Sequence, residues 1–356
     1  MRIALLTYST RPRGGVVHTL NLAEALAAAG QDVTVWALAR GGDAGFFRAV
    51  APSVRQALVP FPDIPQEGVG ERILRSISAL REAFDPRAYD VVHAQDCISA
   101  NAVEDCVRTV HHIDHFTTPE LAACHERAIV RPHTHVCVSS AVARELADGW
   151  GITATVIPNG VEAERFAAAA RDGDGRWRAR FGPYVLTVGG IEPRKGSMDL
   201  LEAYALLDDP DLRLVVAGGE TLFDYRGYRT EWERRAAALG IEPIVLGGVA
   251  HPELPALVAS AAVFAFPSLK EGFGLAAMEA LAAGVPLVTR DLPVFREVFG
   301  GVALFASGPR GLADAMRAAL AVPDPARREA GRALAFRHTW QAAAARHVAL
   351  YESLRP

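Results

Sequence analysis

Short hydrophobic runs alternate with longer amphipathic stretches along the whole chain. Ile3 to Tyr8 reads as a buried strand. Val16 to Ala29 places Leu20, Ala23, Leu26 and Ala27 at helical spacing and stops at Gly30, and Val33 to Leu38 reads as a strand again. These three make a βαβ unit. Further short runs at Val91 to His93, Val107 to Val110, Val136 to Ser139 and Thr155 to Ile157 predict more strands, with helices such as Glu71 to Phe84 and Ala141 to Trp150 between them. Strands that alternate with helices predict a parallel sheet covered on both faces.

After Ile157-Pro-Asn-Gly the texture changes to the low-complexity AAAARDGDG of Ala167 to Gly175, read as a linker. A second series then starts. Its strands are expected at Tyr184 to Val188, Leu212 to Ala217, Ile244 to Leu246, Val263 to Phe266 and Leu287 to Thr289, with helices near Met198 to Leu207, Trp232 to Leu239, Leu254 to Ser260 and Leu275 to Ala283. The pattern therefore predicts an α/β protein of two Rossmann-like doubly wound domains facing a cleft. The expected division is 1–166, a linker at 167–182, and 183–337, with an amphipathic last helix in 338–356 crossing back to the first domain. Ligands of such sheets lie beyond the carboxyl ends of the strands, so each domain is expected to hold one substrate.

Length agrees, since 356 residues exceed what one core usually organises. A formal net charge of −4 carries no basic excess, which argues against nucleic acid as partner. The apolar run at the start is too brief for a signal-peptide core and the longest one, near Ala256 to Phe266, cannot span a bilayer, so no transmembrane segment and a cytoplasmic location are expected. Cys97, Cys106, Cys124 and Cys137 lack paired CxxC spacing and read as reduced, mostly buried thiols. The basic residues are nearly all arginine. Only Lys195 and Lys270 are lysine, and both fall within the motifs that carry chemistry, where a compact ammonium serves differently from a planar guanidinium.

The first of these motifs is Tyr184-Val-Leu-Thr-Val-Gly-Gly-Ile-Glu-Pro-Arg-Lys-Gly: a strand, a glycine turn and a cationic pair at a helix start, a ready phosphate site. The second is Pro267-Ser-Leu-Lys-Glu-Gly-Phe-Gly-Leu-Ala-Ala-Met-Glu-Ala. A loop presents Lys270 and Glu271, Gly272 and Gly274 let backbone approach a ligand, and a helix carries Glu279. Eight helical residues rise about 12 Å. That exceeds the separation of about 9.5 Å at most for a glycosidase carboxylate pair, and suits two carboxylates that bind hydroxyls at opposite ends of a nucleotide sugar.

The Glu-x7-Glu pattern of Glu271 and Glu279, the Pro-Arg-Lys-Gly at 193–196, the Ile-Pro-Asn-Gly-Val at 157–161 and the early Gly14-Gly15 together resemble the retaining glycosyltransferases of family 4, which have the two-Rossmann GT-B architecture. The similarity runs in order over nearly the whole chain, including the closing helix from His338-Thr-Trp. It implies a hexosyltransferase-type enzyme that moves a sugar from a nucleotide diphosphate sugar to an acceptor, with retention of configuration by front-face transfer. By the same resemblance Glu279 accepts ribose hydroxyls, Lys195 neutralises the diphosphate, Glu271 with Gly272, Phe273 and Gly274 holds the transferred sugar, and Leu275 at the helix start belongs to the donor grip. Gly15, beside Gly14, brings backbone to the phosphate from the other domain, and His111 lies beneath the sugar, with the adjacent His112 leaving the register open. Where the family often has Gly-Arg, this chain has Gly189-Gly190, and Arg194 or Arg290 is the candidate to compensate.

The acceptor, a small molecule, glycan or lipid, is expected at loops of the first domain near Phe46-Phe47, His18, Asp96, His112 and Asp114, up to Thr117. Breaking the bond to a diphosphate builds negative charge on the leaving oxygen, and fixed cations and N–H dipoles stabilise it. No cofactor and no metal are expected. Asp172-Gly-Asp174 mimics a metal-binding DxD but sits in the expected linker, and His111, His112, Asp114, His115, Cys124, His125, His133, His135 and Cys137 lack regular ligand spacing. Rival readings are a glycan phosphorylase or nucleotide-sugar epimerase of the same fold, a catalytically idle binding protein, and a dinucleotide-dependent oxidoreductase. The last is disfavoured because Arg13-Gly-Gly-Val-Val-His is not GxGxxG and no acid follows Val33 to Leu38.

Overall fold

In the computed structural model, which describes residues 1–114, 119–173, 175–219 and 225–355, the hydrophobic runs become two all-parallel sheets. The chain divides into two compact units, Met1–Gly160 with Trp340–Pro356, and Val161–Thr339. The sheet of the first unit has the spatial order β3 (Val54–Phe61), β2 (Asp32–Arg40), β1 (Arg2–Thr7), β4 (Val91–Ala94), β5 (Val107–Val110), β6 (Thr134–Cys137), β7 (Thr155–Val156). That of the second has β10 (Ile244–Gly247), β9 (Arg213–Ala217), β8 (Tyr184–Val188), β11 (Val263–Phe266), β12 (Leu287–Arg290), β13 (Leu304–Ala306). Both are doubly wound.

Each central strand is buried on both faces, which is why it reads as an unbroken apolar run. Ile3, Ala4, Leu5 and Leu6 are inaccessible, as are Tyr184, Val185 and Leu186. In both sheets the order reverses beside the first strand, between β1 and β4 and between β8 and β11. These are the switch points, where the loops after neighbouring strands turn to opposite sides and leave a crevice.

Several boundaries differ from expectation. β3 and β13 fall outside the predicted runs: β3 mixes Arg55, Gln56 and Pro60 into its eight residues, and β13 has only three. The stretch expected as a linker is largely helical. Helix Ala163–Asp172 contains the alanine run and buries Phe166 and Ala167 in the second unit, against helices Leu254–Ala259 and Leu275–Ala282; helix Arg176–Phe181 follows. Alanine has the highest helix propensity of all residues, so the composition suits a helix as well as a flexible tether. Asp174, of the DxD sequence, and His115, Phe116 and Thr117 lie outside the described residues.

Helix Trp340–Ser353 belongs to the first unit and packs on helix Gly14–Ala28. Its buried face is Trp340, Ala343, Ala344, His347 and Tyr351, one stripe at helical spacing. No helix among the described residues is long and apolar enough to cross a membrane.

Candidate functional site

The two motifs singled out in the sequence meet at the switch point of the second unit. β8 runs into Gly189 and Gly190, then a 3-10 turn at Pro193–Lys195 precedes helix Ser197–Ala205. β11 runs into the loop that holds Lys270 and Glu271. The two loops are tied together by their backbones, because Leu269 N donates to Arg194 O at 2.8 Å. Gly196, at φ +65°, closes the first turn, and a Cβ there would collide with the carbonyl of Pro267.

Lys195 and Glu271 close this arrangement, with Nζ 2.6 Å from Oε2 and both side chains mostly buried. The lysine stem lies across Gly189, where a Cβ would fall 3.5 Å from Lys195 Cε, and the ammonium stands 5.3 Å from the Phe266 ring centre. Arg194 reaches the same carboxylate oxygen at 3.5 Å, the Lys270 carbonyl at 3.2 Å and Glu192 Oε1 at 3.1 Å. Of the two arginines considered as compensating cations, Arg194 is at Glu271. Arg290 is held by Asp199 and by the Pro267 carbonyl, 3.0 Å from Nε.

The helix that carries Glu279 starts at Leu275, so Glu271 sits on the preceding loop and the expected rise along eight helical residues does not apply. Gly274 is the cause. Gly274 is left-handed at φ +95°, and a Cβ there would press to 3.0 Å on Phe299 and 3.1 Å on Phe266. Phe273 is buried, its ring 5.7 Å from that of His338. Glu279 is partly buried. Burial first, then the negative charge of Glu162, push its carboxyl up to about 8, with Arg165 opposing. Arg165 donates to Glu162 Oε2 at 3.1 Å and to His251 Nδ1 at 3.4 Å, and also bonds the His251 carbonyl. Sequence reasoning missed Glu162 and Arg165, an i,i+3 pair at a helix start inside a stretch read as domain edge, and His251, 86 residues further on, which no local spacing links to them.

The switch point of the first unit is built differently. Gly14 and Gly15 open helix Gly14–Ala28, and Gly15 faces His111, where a Cβ would lie 3.8 Å from the ring. His18, one turn further, is almost fully buried and donates from Nδ1 to Asn159 Oδ1 at 2.9 Å; its ring stands edge-on to His111 at 4.7 Å and to Trp340 at 5.3 Å. Burial lowers the His111 imidazole to about 3 and drives His18 well below its ordinary range, so both are neutral near pH 7. The ring after β5 that faces Gly15 is thus His111. His112 instead pairs with Asp114 at 3.1 Å.

Asp96 has both oxygens engaged by backbone. Oδ1 accepts from Ser99 N at 2.8 Å, capping helix Cys97–Val103, and Oδ2 accepts from Tyr8 N at 2.9 Å, which joins the ends of β1 and β4. Burial raises its pKa. Of the other histidines of the region, His135 bonds the Ile129 carbonyl at 2.7 Å, His133 bonds Thr134, and the His125 ring stands 6.3 Å from that of Trp150. Among the described residues no three His, Cys, Asp or Glu gather as a metal-binding group. All four cysteines are free thiols, and burial pushes Cys106 and Cys137 up to about 12.

Comparison with known proteins matches both units. Residues 12–165 fit Glycosyltransferase Family 4 and residues 180–333 fit Glycosyl transferases group 1. A phosphatidyl-myo-inositol mannosyltransferase of Mycobacterium tuberculosis (strain ATCC 25618 / H37Rv) is 30% identical over 99% of this chain and 97% of its own length. Among solved structures, sucrose-phosphate synthase from Thermosynechococcus elongatus superposes with TM-score 0.80 at 21% identity, covering 99% of this chain and 98% of that one. An Anabaena protein crystallised with UDP-glucose gives 0.75 at 19% identity, covering 99% and 100%.

Proposed function

The chain belongs to glycosyltransferase family 4, retaining enzymes that use nucleotide sugars, and from that premise we propose that residues 189–279 of the second unit grip the donor. The observation that carries this reading is the convergence of Lys195 and Glu271 from opposite sides of one switch point. Lys195 takes the diphosphate, assisted by Arg194 and by backbone N–H groups around Gly190 and at the start of helix Leu275–Ala282. Glu271, with Gly272, Phe273 and Gly274, holds the hydroxyls of the transferred sugar. Glu279 takes the ribose.

The chemistry follows from charge. The bond from the anomeric carbon to the diphosphate oxygen breaks, and the electron pair leaves with the nucleoside diphosphate. Lys195 is already in place where that charge grows, so the site needs little reorganisation during the reaction. The acceptor hydroxyl forms the new bond on the same face, and its proton passes to the departing phosphate oxygen. In the first unit, Gly15 serves the phosphate and neutral His111 hydrogen-bonds the sugar; a base with a pKa near 3 would hold no proton to give at pH 7. We read His112 and Asp114 as the residues that meet the acceptor, whereas His18 is held by Asn159 and Asp96 by the backbone of Ser99 and Tyr8.

We read the transferred group as a hexose, in keeping with mannosyl transfer by the mycobacterial relative and UDP-glucose on the Anabaena protein. Catalysis is read as metal-independent because Lys195 and backbone dipoles can carry the phosphate charge. A panel of nucleotide hexoses, assayed for nucleoside diphosphate release with and without added hydroxyl acceptors in EDTA, tests all of this. Release that requires acceptor and survives chelation is expected. Sugar 1-phosphate formed from an added glycan and inorganic phosphate, with no nucleoside diphosphate released, would make the chain a glycan phosphorylase, sugar interconversion without release an epimerase, and complete loss in EDTA reversed by magnesium would refute metal independence.

A further inference from the structure

The strand β10 runs at Gly247 into Gly248-Val249-Ala250, and the side chains of this 247–250 segment carry no polar group. Such a segment can hydrogen-bond a ligand only through main-chain N–H and C=O groups, a chemistry suited to the edge of a nucleobase. Backbone recognition requires that the segment be fixed from behind, because a glycine pair alone has wide conformational freedom.

Arg165 supplies the fixing contact. Its guanidinium bonds the carbonyl of His251, reaches His251 Nδ1 at 3.4 Å and holds Glu162 Oε2 at 3.1 Å. A guanidinium is planar and always protonated, so one side chain can hold three acceptors in a set geometry where an ammonium cannot. The helix that carries Arg165, Ala163–Asp172, also packs on helix Leu275–Ala282, the bearer of Glu279. We infer that Arg165 is a positioning residue of the nucleotide site, fixing the segment 247–251 and the surroundings of Glu279 so that the nucleoside part of the donor is held. This rests on the reading of Glu279 as the ribose ligand.

The electrostatics agree with the geometry. Of the charges that act on the Glu279 carboxyl, Glu162 raises its pKa and Arg165 lowers it. Helix Leu254–Ala259, packed against the same helix, presents no ionisable side chain; Arg290 of β12 is held by Asp199, and Arg328 and Arg332 of helix Pro325–Arg337 lie at Gly284, beyond the helix end. An ionised carboxylate accepts hydroxyl hydrogen bonds more strongly than a neutral one. Nucleotide affinity should therefore rise with pH and level off near 8, where Glu279 is ionised before binding. Removal of the one opposing cation moves that levelling point upward.

The test is calorimetric titration between pH 6.5 and 9.5 of whichever of free UDP, GDP or ADP binds tightest, into wild type, Arg165→Ala, Arg165→Lys and Glu279→Gln. Arg165→Ala is expected to weaken binding about tenfold, the scale of one charged hydrogen bond, and to level off at a higher pH. Arg165→Lys should restore the levelling pH without restoring the affinity. Equal weakening at every pH with an unmoved levelling point, or wild-type binding by Arg165→Ala, overturns the inference. If Arg165→Ala does not melt cooperatively, Arg165→Lys carries the test, and wild-type affinity in that variant overturns it. Glu279→Gln reports separately: wild-type affinity and pH profile there refute the ribose assignment itself.

Discussion

The two units share a strand order but arm their switch points with opposite chemistry. The first gathers imidazoles that burial keeps neutral, His18 and His111 beside Gly15 and His93 and His347 beneath, and uses its carboxylate, Asp96, as a helix cap and strand tie. The second gathers formal charges in contact, Lys195 and Arg194 on Glu271, Arg165 on Glu162. Neutral donors and acceptors suit uncharged hydroxyls; paired cations that can exchange a carboxylate for phosphate suit a diphosphate. One scaffold has thus been specialised by the side chains it carries in loops, helices and strand ends, and the fold would not have distinguished the halves.

The contrast is broken most severely at Lys195. Lys195→Ala should lower turnover by about a hundredfold or more, as expected for one preorganised charge donor, whereas His111→Ala should cost less because no formal charge is lost. Initial rates at saturating donor decide this, and normal turnover in Lys195→Ala would falsify the assignment. The next effect separates the ends of the donor. Glu279→Ala should weaken the nucleoside diphosphate by about 1 to 3 kcal/mol, while Glu271→Ala should depress turnover and leave that affinity nearly unchanged. Equal weakening in calorimetric titrations of both variants would sink the assignment of ends.

The two regions should also respond to pH with opposite sign. Each buried histidine has a folded pKa below its unfolded value of about 6.5, so unfolding takes up a proton below that pH. Its contribution is complete above about 6.5 and is lost as pH falls toward the folded values, about 4 for His347 and about 3 for His111, at about 1.4 kcal/mol per pH unit for each. Glu279 is raised instead. Its contribution is complete below its ordinary value of 4.5 and is lost as pH rises toward about 8. Calorimetric melts across pH 4 to 9 should show a loss below about pH 6.5 in both proteins, steeper in Glu279→Gln because the opposing Glu279 slope is gone, and a loss from about 6.5 to 8 that is smaller in the variant; identical slopes in both ranges would refute the raised carboxyl. The smallest change is Tyr351→Phe. It strips the hydroxyl 2.6 Å from buried His93 Nδ1 and should cost about 1 to 3 kcal/mol, read by denaturant titration with donor affinity unaltered.

Much of this was legible in the chain because the rules involved are local. Tyr184–Val188 and Val263–Phe266 coincide with their apolar runs, and the loops that follow them hold Lys195 and Glu271. What escaped depends on tertiary placement. The helical alanines at 167–170 have no periodic polar face to announce them, and burial of Phe166 fixes their helix in place. Gly274, left-handed at the N-cap, delays the helix to Leu275, which the even Glu-x7-Glu spacing conceals. Asp96 looked available for substrate, but a carboxylate after a strand and before Ser99 can serve as well as a cap, and sequence alone does not choose. The scarcity of lysine pointed to two residues; one gives its ammonium to Glu271, and for the other it is the main-chain carbonyl that Arg194 holds.

The return of helix Trp340–Ser353 to the first unit also sets an order of events on the ribosome. The second unit is one continuous stretch, Val161–Thr339, and has all its strands once that stretch has emerged. The first unit, although translated first, must wait for the rest: until Tyr351 arrives its His93 lacks one of its two hydrogen-bond partners, and helix Gly14–Ala28 lacks the surface that covers it. Domains usually complete themselves in the order of synthesis. Here the half translated second is the first that can finish, and the nascent first half stays partly uncovered for the time taken to translate the second.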